Sequence, residues 1–308
     1  MTTLFKQRLP VALACIMVLH LAPRLDAASP TVSNSGRLLR DASLMLLKEG
    51  NVRFATGKSQ HPNQEAARRT STVADGQEPF ATILACSDSR DPVELLFDRG
   101  VGDLFVVRVA GNIAGESEMA TVEYGVGHLN TPLLIVMGHT KCGAVTAVVK
   151  GAELHGHLHA LAEKIKPAAE KAKAETTVPD EAVARAIQAN VWQTIEDLIR
   201  ESPIVREKLS AGQVHIQGAV YDLEQGKVNW LGAHPGQDAL VALASQAETD
   251  ATQPHVNAHE TAPAKNPSTR LTSAPAKKTT ETADLDDSHE AQGHAAPTAK
   301  KTAPAKPH

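Results

Sequence analysis

Two short clusters hold the residues of this chain that can do chemistry. Cys86-Ser87-Asp88-Ser89-Arg90 follows one apolar run, and His139-Thr140-Lys141-Cys142-Gly143 follows another. Each falls where a β-strand should end and a loop begin. Two thiolates and one imidazole are donors that zinc, a borderline-soft ion, takes in tetrahedral geometry. Cys86, His139 and Cys142 would leave a fourth position open, which is the form of a catalytic site. Zinc held in this way lowers the pKa of its water and supplies hydroxide near neutrality. Two sulfurs donate more charge than two imidazoles would, so they weaken that acidity, and a polar network nearby must help. Asp88 and Arg90 are its candidates, because a guanidinium can clamp a carboxylate with two parallel hydrogen bonds. With Asp88 on Arg90, the carboxylate accepts a hydrogen bond from the zinc water. With Asp88 swung onto zinc as a fourth ligand, the site is shut. The residues alone leave both states open. Backbone N–H groups of Gly111–Gly115, and of the helix start after Gly143, are candidates to line an anion pocket.

Other readings of the same residues stand beside this one. The chain has three cysteines, and Cys15 lies in a segment that export would remove. Cys86 and Cys142 could then pair as a disulfide in an oxidising compartment. The zinc could be structural, and Asp88-Ser89-Arg90 could be a local ion pair. A dinucleotide-binding reading fails for want of a Gly-x-Gly-x-x-Gly opening. His155, His157 and His159 alternate with Gly156 and Leu158 and read as a solvated loop. A net charge of -4 with 3% aromatic residues leaves neither a basic stripe nor stacking platforms, which argues against nucleic acid as a partner.

The elements that must position the two clusters alternate between strand and helix. A helical pattern starts at Leu38 and is broken at Gly50-Asn51. Residues 57–79 read as loop with one short helix. Phe80 to Ala85, Leu104 to Val109 and Pro132 to Met137 read as buried parallel strands, with a helix from Glu116 to Leu129 between the second and third. A helix begins at Gly143. Further helices cover His159 to Lys173, interrupted at Pro167, and Pro179 to Glu201, which Ile204 to Leu209 could extend. Val214 to Leu223 is a strand, and Lys227 to Leu231 is its antiparallel partner across Gln225-Gly226. The fold class is therefore α/β, a predominantly parallel sheet flanked by helices with an antiparallel edge strand. Right-handed crossovers put the carboxyl ends of its parallel strands on one edge. Cys86 and His139 both fall there, although some fifty residues separate them.

The two ends of the chain differ from this body. Residues 1–27 have the grammar of a signal peptide. Lys6 and Arg8 precede an apolar run from Val11 to Ala22, and Leu25-Asp26-Ala27 offers a cleavage site. An uncleaved anchor is the alternative. Residues 28–246 form the expected folded domain. Residues 247–308 are rich in Ala, Pro, Thr, Lys and His and nearly without large apolar side chains, so a disordered tail is expected there. The expectation is an exported, periplasmic protein of a Gram-negative bacterium, with no membrane attachment after cleavage.

From about Leu38 to Gly232 the chain resembles the β-class carbonic anhydrases. Cys86-Ser87-Asp88-Ser89-Arg90 is similar to the first metal motif of that family, and His139-Thr140-Lys141-Cys142-Gly143-Ala144-Val145 to the second. Between and after them, Glu94-Leu95-Leu96-Phe97-Asp98, Gly102 to Arg108, Ala110-Gly111-Asn112, Glu123-Tyr124 and Gly218 to Leu223 also match. The resemblance implies Zn2+ on Cys86, His139 and Cys142, and Asp88 with Arg90 as the catalytic dyad. It implies reversible hydration of CO2 to bicarbonate and a proton, by attack of zinc-bound hydroxide. It implies a homodimer whose N-terminal helix embraces the partner, often doubled to a tetramer. Asp91 departs from the pattern, standing where a small apolar residue is commoner, and so does Val109. The N-terminal region lacks the tryptophan of members with an inhibitory bicarbonate site. A binding protein on the same sheet, or a lyase or hydrolase acting on carbon disulfide or a similar heterocumulene, are the competing functions.

Overall fold

A computed structural model of the chain describes residues 34–252. The expected signal peptide and nearly all of the expected tail lie outside the described residues. The architecture is the expected one. Five strands, β1 (Ala81–Ala85), β2 (Leu104–Arg108), β3 (Leu133–His139), β4 (His215–Asp222) and β5 (Lys227–Gly232), form one sheet in the order β2-β1-β3-β4-β5. The first four run parallel, and β5 pairs antiparallel with β4. Every residue of β1 and β3 is buried, as continuous apolar runs in a sheet covered on both faces must be.

Period-two alternation sorts these strands between two cores. Ile83, Ala85, Ile135 and Met137 face one side, against Leu47 of α1 (Asn34–Ala55) and Val93, Leu96 and Phe97 in and just after α3 (Val93–Leu96). Leu84, Leu134, Val136 and Ile216 face the other. They pack on Met119 and Val122 of α4 (Glu116–Glu123) and on Val191, Ile195 and Leu198 of α7 (Pro179–Glu201). A third cluster gathers beyond the carboxyl ends of the strands, where α5 (Gly143–Val149), α6 (Leu158–Glu175) and α7 enclose Cys86 and Cys142. A short α2 spans Ala66–Asp75, within the stretch expected to be mainly loop. Among the described residues, no helix is long and apolar enough to cross a membrane.

Several expected boundaries move, each for a physical reason. Helix α1 runs through Gly50-Asn51 instead of stopping there. At Gly50 a Cβ would lie 1.8 Å from the Phe97 carbonyl oxygen, so glycine there permits close packing and does not break the helix. Asn51 is held inside by bonds from its amide to the Leu96 and Gly226 carbonyls and from Val228 N–H to its oxygen. Helix α6 likewise continues through Pro167. The expected helix to Leu129 is α4 followed by a π-helical turn over Tyr124–His128, where a Cβ at Gly125 would meet Thr82 Oγ1 at 2.4 Å. Ile204 to Leu209 does not extend α7. It belongs to α8 (Pro203–Ser210), started afresh by Ser202, whose hydroxyl accepts from Val205 N–H. Helix α9 (Gln237–Thr252) was not expected, and it continues past residue 246, where the tail was placed.

Asp98 ties α1 to the start of the α2 connection. It is buried, and it accepts from Arg53 Nε at 2.6 Å and from the N–H groups of Gln60 and His61. Burial pushes its pKa up, but these donors outweigh burial and hold it below the usual carboxylate value. A lowered native pKa contributes stability that is present above about pH 4 and lost as pH falls through the native value. Asp98→Asn is therefore expected to cost about 3 kcal/mol at pH 7, with the loss shrinking in acid. Urea unfolding of both proteins at pH 7 and pH 3 checks this, and an equal loss at both would contradict it.

Candidate metal centre

β1 and β3 are adjacent in the sheet, with Ala85 in register with Met137. Cys86 follows Ala85 directly, and His139 ends β3, so both ligands emerge at neighbouring strand ends. From β1 the chain leaves to β2 on one side, and from β3 it leaves to β4 on the other. The crevice between them is the point where the winding reverses, the place where open α/β sheets bind ligands. Cys142 comes back to it through a tight turn in which Lys141 takes the left-handed conformation, at φ 56°. Cys142 then stands at the N-terminus of α5.

The three expected ligands are brought together. Cys86 Sγ, a His139 ring nitrogen and Cys142 Sγ lie within 4.8 Å of one another, all from buried residues, and both cysteines are free. The disulfide reading is not realised. Within Gly111–Gly115, one of the segments expected to line an anion pocket, Gly111 N–H donates to Cys86 Sγ at 3.3 Å. His139 Nδ1 donates to the Thr140 carbonyl at 2.9 Å, which leaves the lone pair on Nε2. That Nε2 is buried without a partner. A buried acceptor seldom goes unpaired, and here it faces the two thiols. The donor set fits zinc: two sulfurs that bind as thiolates and one neutral imidazole nitrogen.

The electrostatics agree. The neighbouring Cys142 thiol, against burial and with Gly111 N–H beside it, draws Cys86 well below the usual thiol range. The neighbouring Cys86 and burial hold Cys142 above the usual thiol range. The pair thus loses its first proton readily and its second only against the charge already there, which a dication between them would neutralise.

Asp88 and Arg90 stand at the rim. Arg90 donates to Asp88 through Nε at 2.9 Å and Nη2 at 2.7 Å, and its backbone N–H adds a third bond at 2.9 Å. These bonds hold Asp88 far below the usual carboxylate range. Asp88 Oδ2 is also 3.7 Å from His139 Nε2, so the carboxylate borders the ligand cluster. Arg90 is the solvent-facing member of the pair, at 55% side-chain exposure against 16%.

Three residues near the centre were not singled out for it by the sequence. Arg108, the charged last residue of β2, donates from Nε to the Cys86 carbonyl at 2.9 Å and from Nη2 to the Asp88 carbonyl at 2.7 Å. It holds two carbonyls of the first motif. Asn190 and Thr194 of α7 bond the carbonyls of Gly111 and Asn112. The signal available was two polar residues on a helix face otherwise made of Ala, Ile, Val and Leu. Asp91, whose orientation the sequence left open, points inward. It is fully buried, neither oxygen has a hydrogen-bond partner, and burial pushes its pKa up to about 7. His155, His157 and His159 are exposed in the α5–α6 connection and the start of α6.

Known proteins carry the same pattern. Residues 81–228 match the family model described as carbonic anhydrase. Carbonic anhydrase 2 of Mycobacterium tuberculosis is 36% identical over 190 residues, covering 60% of this chain and 90% of that protein. The carbonic anhydrase of Mycolicibacterium smegmatis is 36% identical over 200 residues, 63% of this chain and 94% of that one. Among solved structures, the β-carbonic anhydrase CafA of Aspergillus fumigatus superposes with a TM-score of 0.54 at 29% identity, covering 67% of this chain and 97% of its own. A structure reported with two tetrameric β-carbonic anhydrases of Sordaria macrospora gives 0.50 at 26%, covering 62% and 98%. With its ligand triad, its sheet order and these relatives, the chain belongs to the β-class carbonic anhydrases, zinc enzymes that hydrate CO2 reversibly to bicarbonate and a proton.

Proposed function

We propose that Asp88 and Arg90 are the residues that orient the attacking oxygen in CO2 hydration by this enzyme. The observation that carries this is the three-bond clamp of Arg90 on Asp88, with Asp88 Oδ2 beside the unpartnered His139 Nε2. Cys86, His139 and Cys142 hold zinc, which supplies hydroxide near neutral pH by Lewis-acid polarisation of water. Asp88, ionised throughout the neutral range, accepts a hydrogen bond from the oxygen that attacks CO2 and so aims a lone pair at the carbon. Arg90 keeps the carboxylate in that orientation and meets solvent, where bicarbonate leaves and the proton passes to buffer. Arg90 also points Nη2 at the Lys141 carbonyl, 3.5 Å away, so one guanidinium links the two motifs. Asp88 as a zinc ligand in a closed state requires that clamp to open.

The enzyme acts as a homodimer in this reading, with a tetramer as its doubled form. Support comes from α1, where Leu38, Leu39, Met45 and Val52 are exposed on a helix that packs on its own domain through Leu47. Covering such a patch is what partner subunits do. The tetrameric description of the Sordaria macrospora relatives supports the larger form. Export to the periplasm rests on the basic start and apolar run of residues 1–27.

Cys86→Ser is expected to lose zinc and CO2 hydration together, read by metal analysis and stopped-flow on one sample; activity in the metal-free protein would reject the assignment. Asp88→Asn is expected to keep stoichiometric zinc and lose at least ~100-fold in kcat, and unchanged turnover would reject its role. Asp91 carries a raised native pKa, so its charge costs stability increasingly as pH rises from about 4 to about 7. Asp91→Ala should then gain about 1–3 kcal/mol at pH 8 and less at pH 5. Thermal unfolding at the two pH values measures this, and a loss at pH 8 would contradict it.

A further inference from the structure

We propose that Asn190, on α7 and outside the ligand cluster, is a positioning residue that sets how much charge Cys86 gives to zinc. The inference rests on the zinc reading and deepens it. The path has two links. Asn190 Nδ2 donates to the Gly111 carbonyl at 2.7 Å, and Gly111 N–H donates to Cys86 Sγ at 3.3 Å. The loop between them has little room to relax. Gly111 is at φ 79°, and a Cβ there would lie 2.7 Å from Ile165 Cδ1, so its backbone lies against α6. Thr194, one helical turn beyond Asn190, holds the next carbonyl, Asn112 O, at 3.0 Å. Without Asn190, the Gly111–Asn112 peptide loses the bond that holds it, and Gly111, free to rotate about its own φ and ψ, no longer fixes the preceding peptide, whose N–H is aimed at Cys86.

Packing does not account for Asn190. It is 1% exposed, between Ile187 and Val191 on the face of α7 that fills the core, and its Oδ1 has no partner. A buried amide left half-satisfied is less stable than an apolar side chain of the same shape. Its place is explained by what its donor does. Two thiolates supply much charge to the ion, and an N–H directed at one of them withdraws part of it. The metal is left more electrophilic, which is the help a two-sulfur site needs. Groups beyond the ligands commonly tune a metal in this way, by about 10–100-fold in affinity or activity.

The test uses Asn190→Leu, which removes the donor and the unpartnered oxygen together and keeps an apolar face, with Thr194→Val as the neighbour control. Each full-length protein is prepared with zinc and with cobalt(II) in its place. Asn190→Leu is expected to fold, to hold one metal per chain, and to lose about 10-fold or more in kcat. Its thiolate-to-cobalt charge-transfer band is expected to move to lower energy, because the sulfur it leaves is more electron-rich. Thr194→Val should leave that band in place. An unmoved band in Asn190→Leu, or the same movement in both variants, overturns the proposal. Wild-type protein without zinc would remove the metal reading and this inference with it; wild-type zinc and activity beside an unmoved Asn190→Leu band would remove this inference alone.

Discussion

The structure depends on the convergence of three metal donors that the chain cannot bring together locally. Cys86 and His139 are carried by different strands, and Cys142 returns to them only through the left-handed turn at Lys141. Register delivers this convergence. β1 and β3 pair directly, so a one-residue slip would turn the end of either strand to the opposite face. Both strands are buried on both faces by two separate cores, which specifies that register strongly. Much of the hydrophobic core can thus be understood as the device that holds two strand ends side by side.

Groups in unfavourable states cluster around that convergence. The Nε2 of His139 and both oxygens of Asp91 are buried without partners, and Lys141 adopts a conformation that non-glycine residues seldom take. Such costs persist where surrounding structure over-determines them. Here that structure is the web of backbone carbonyls held by Arg108, Asn190 and Thr194 and the Gly111 N–H aimed at Cys86. His139 Nε2 has an evident use as a ligand. Asp91 has none in the machinery described, and its burial is a cost that nothing in the structure explains.

The chemistry of the centre was legible early because zinc ligands are few in kind. Cysteine and histidine at strand ends, with an Asp-x-Arg beside them, announce themselves by residue type. Strands β1 and β3 were equally legible from their unbroken apolar runs. Gly50 and Pro167 misled because their local propensities are set against the helix, while tertiary packing decided for it: Gly50 lets Phe97 approach, and α6 closes over the ligands. Arg108 and Asn190 carry no such mark, because their work is done through backbone carbonyls, which have no signature in the identity of the residues that accept.

By itself the sequence determined which atoms could bind a metal, that the strands were buried, and that helices must cover both faces, because residue type and hydrophobic period are local properties. Only the tertiary structure decided that the winding reverses between β1 and β3, that Asp91 turns inward, and that α7 reaches back to the loop serving Cys86. Those outcomes depend on strand order and on contacts between residues as far apart as Gly111 and Asn190. Local spacing does not encode such contacts, because they exist only once the sheet has assembled and its two faces have been filled.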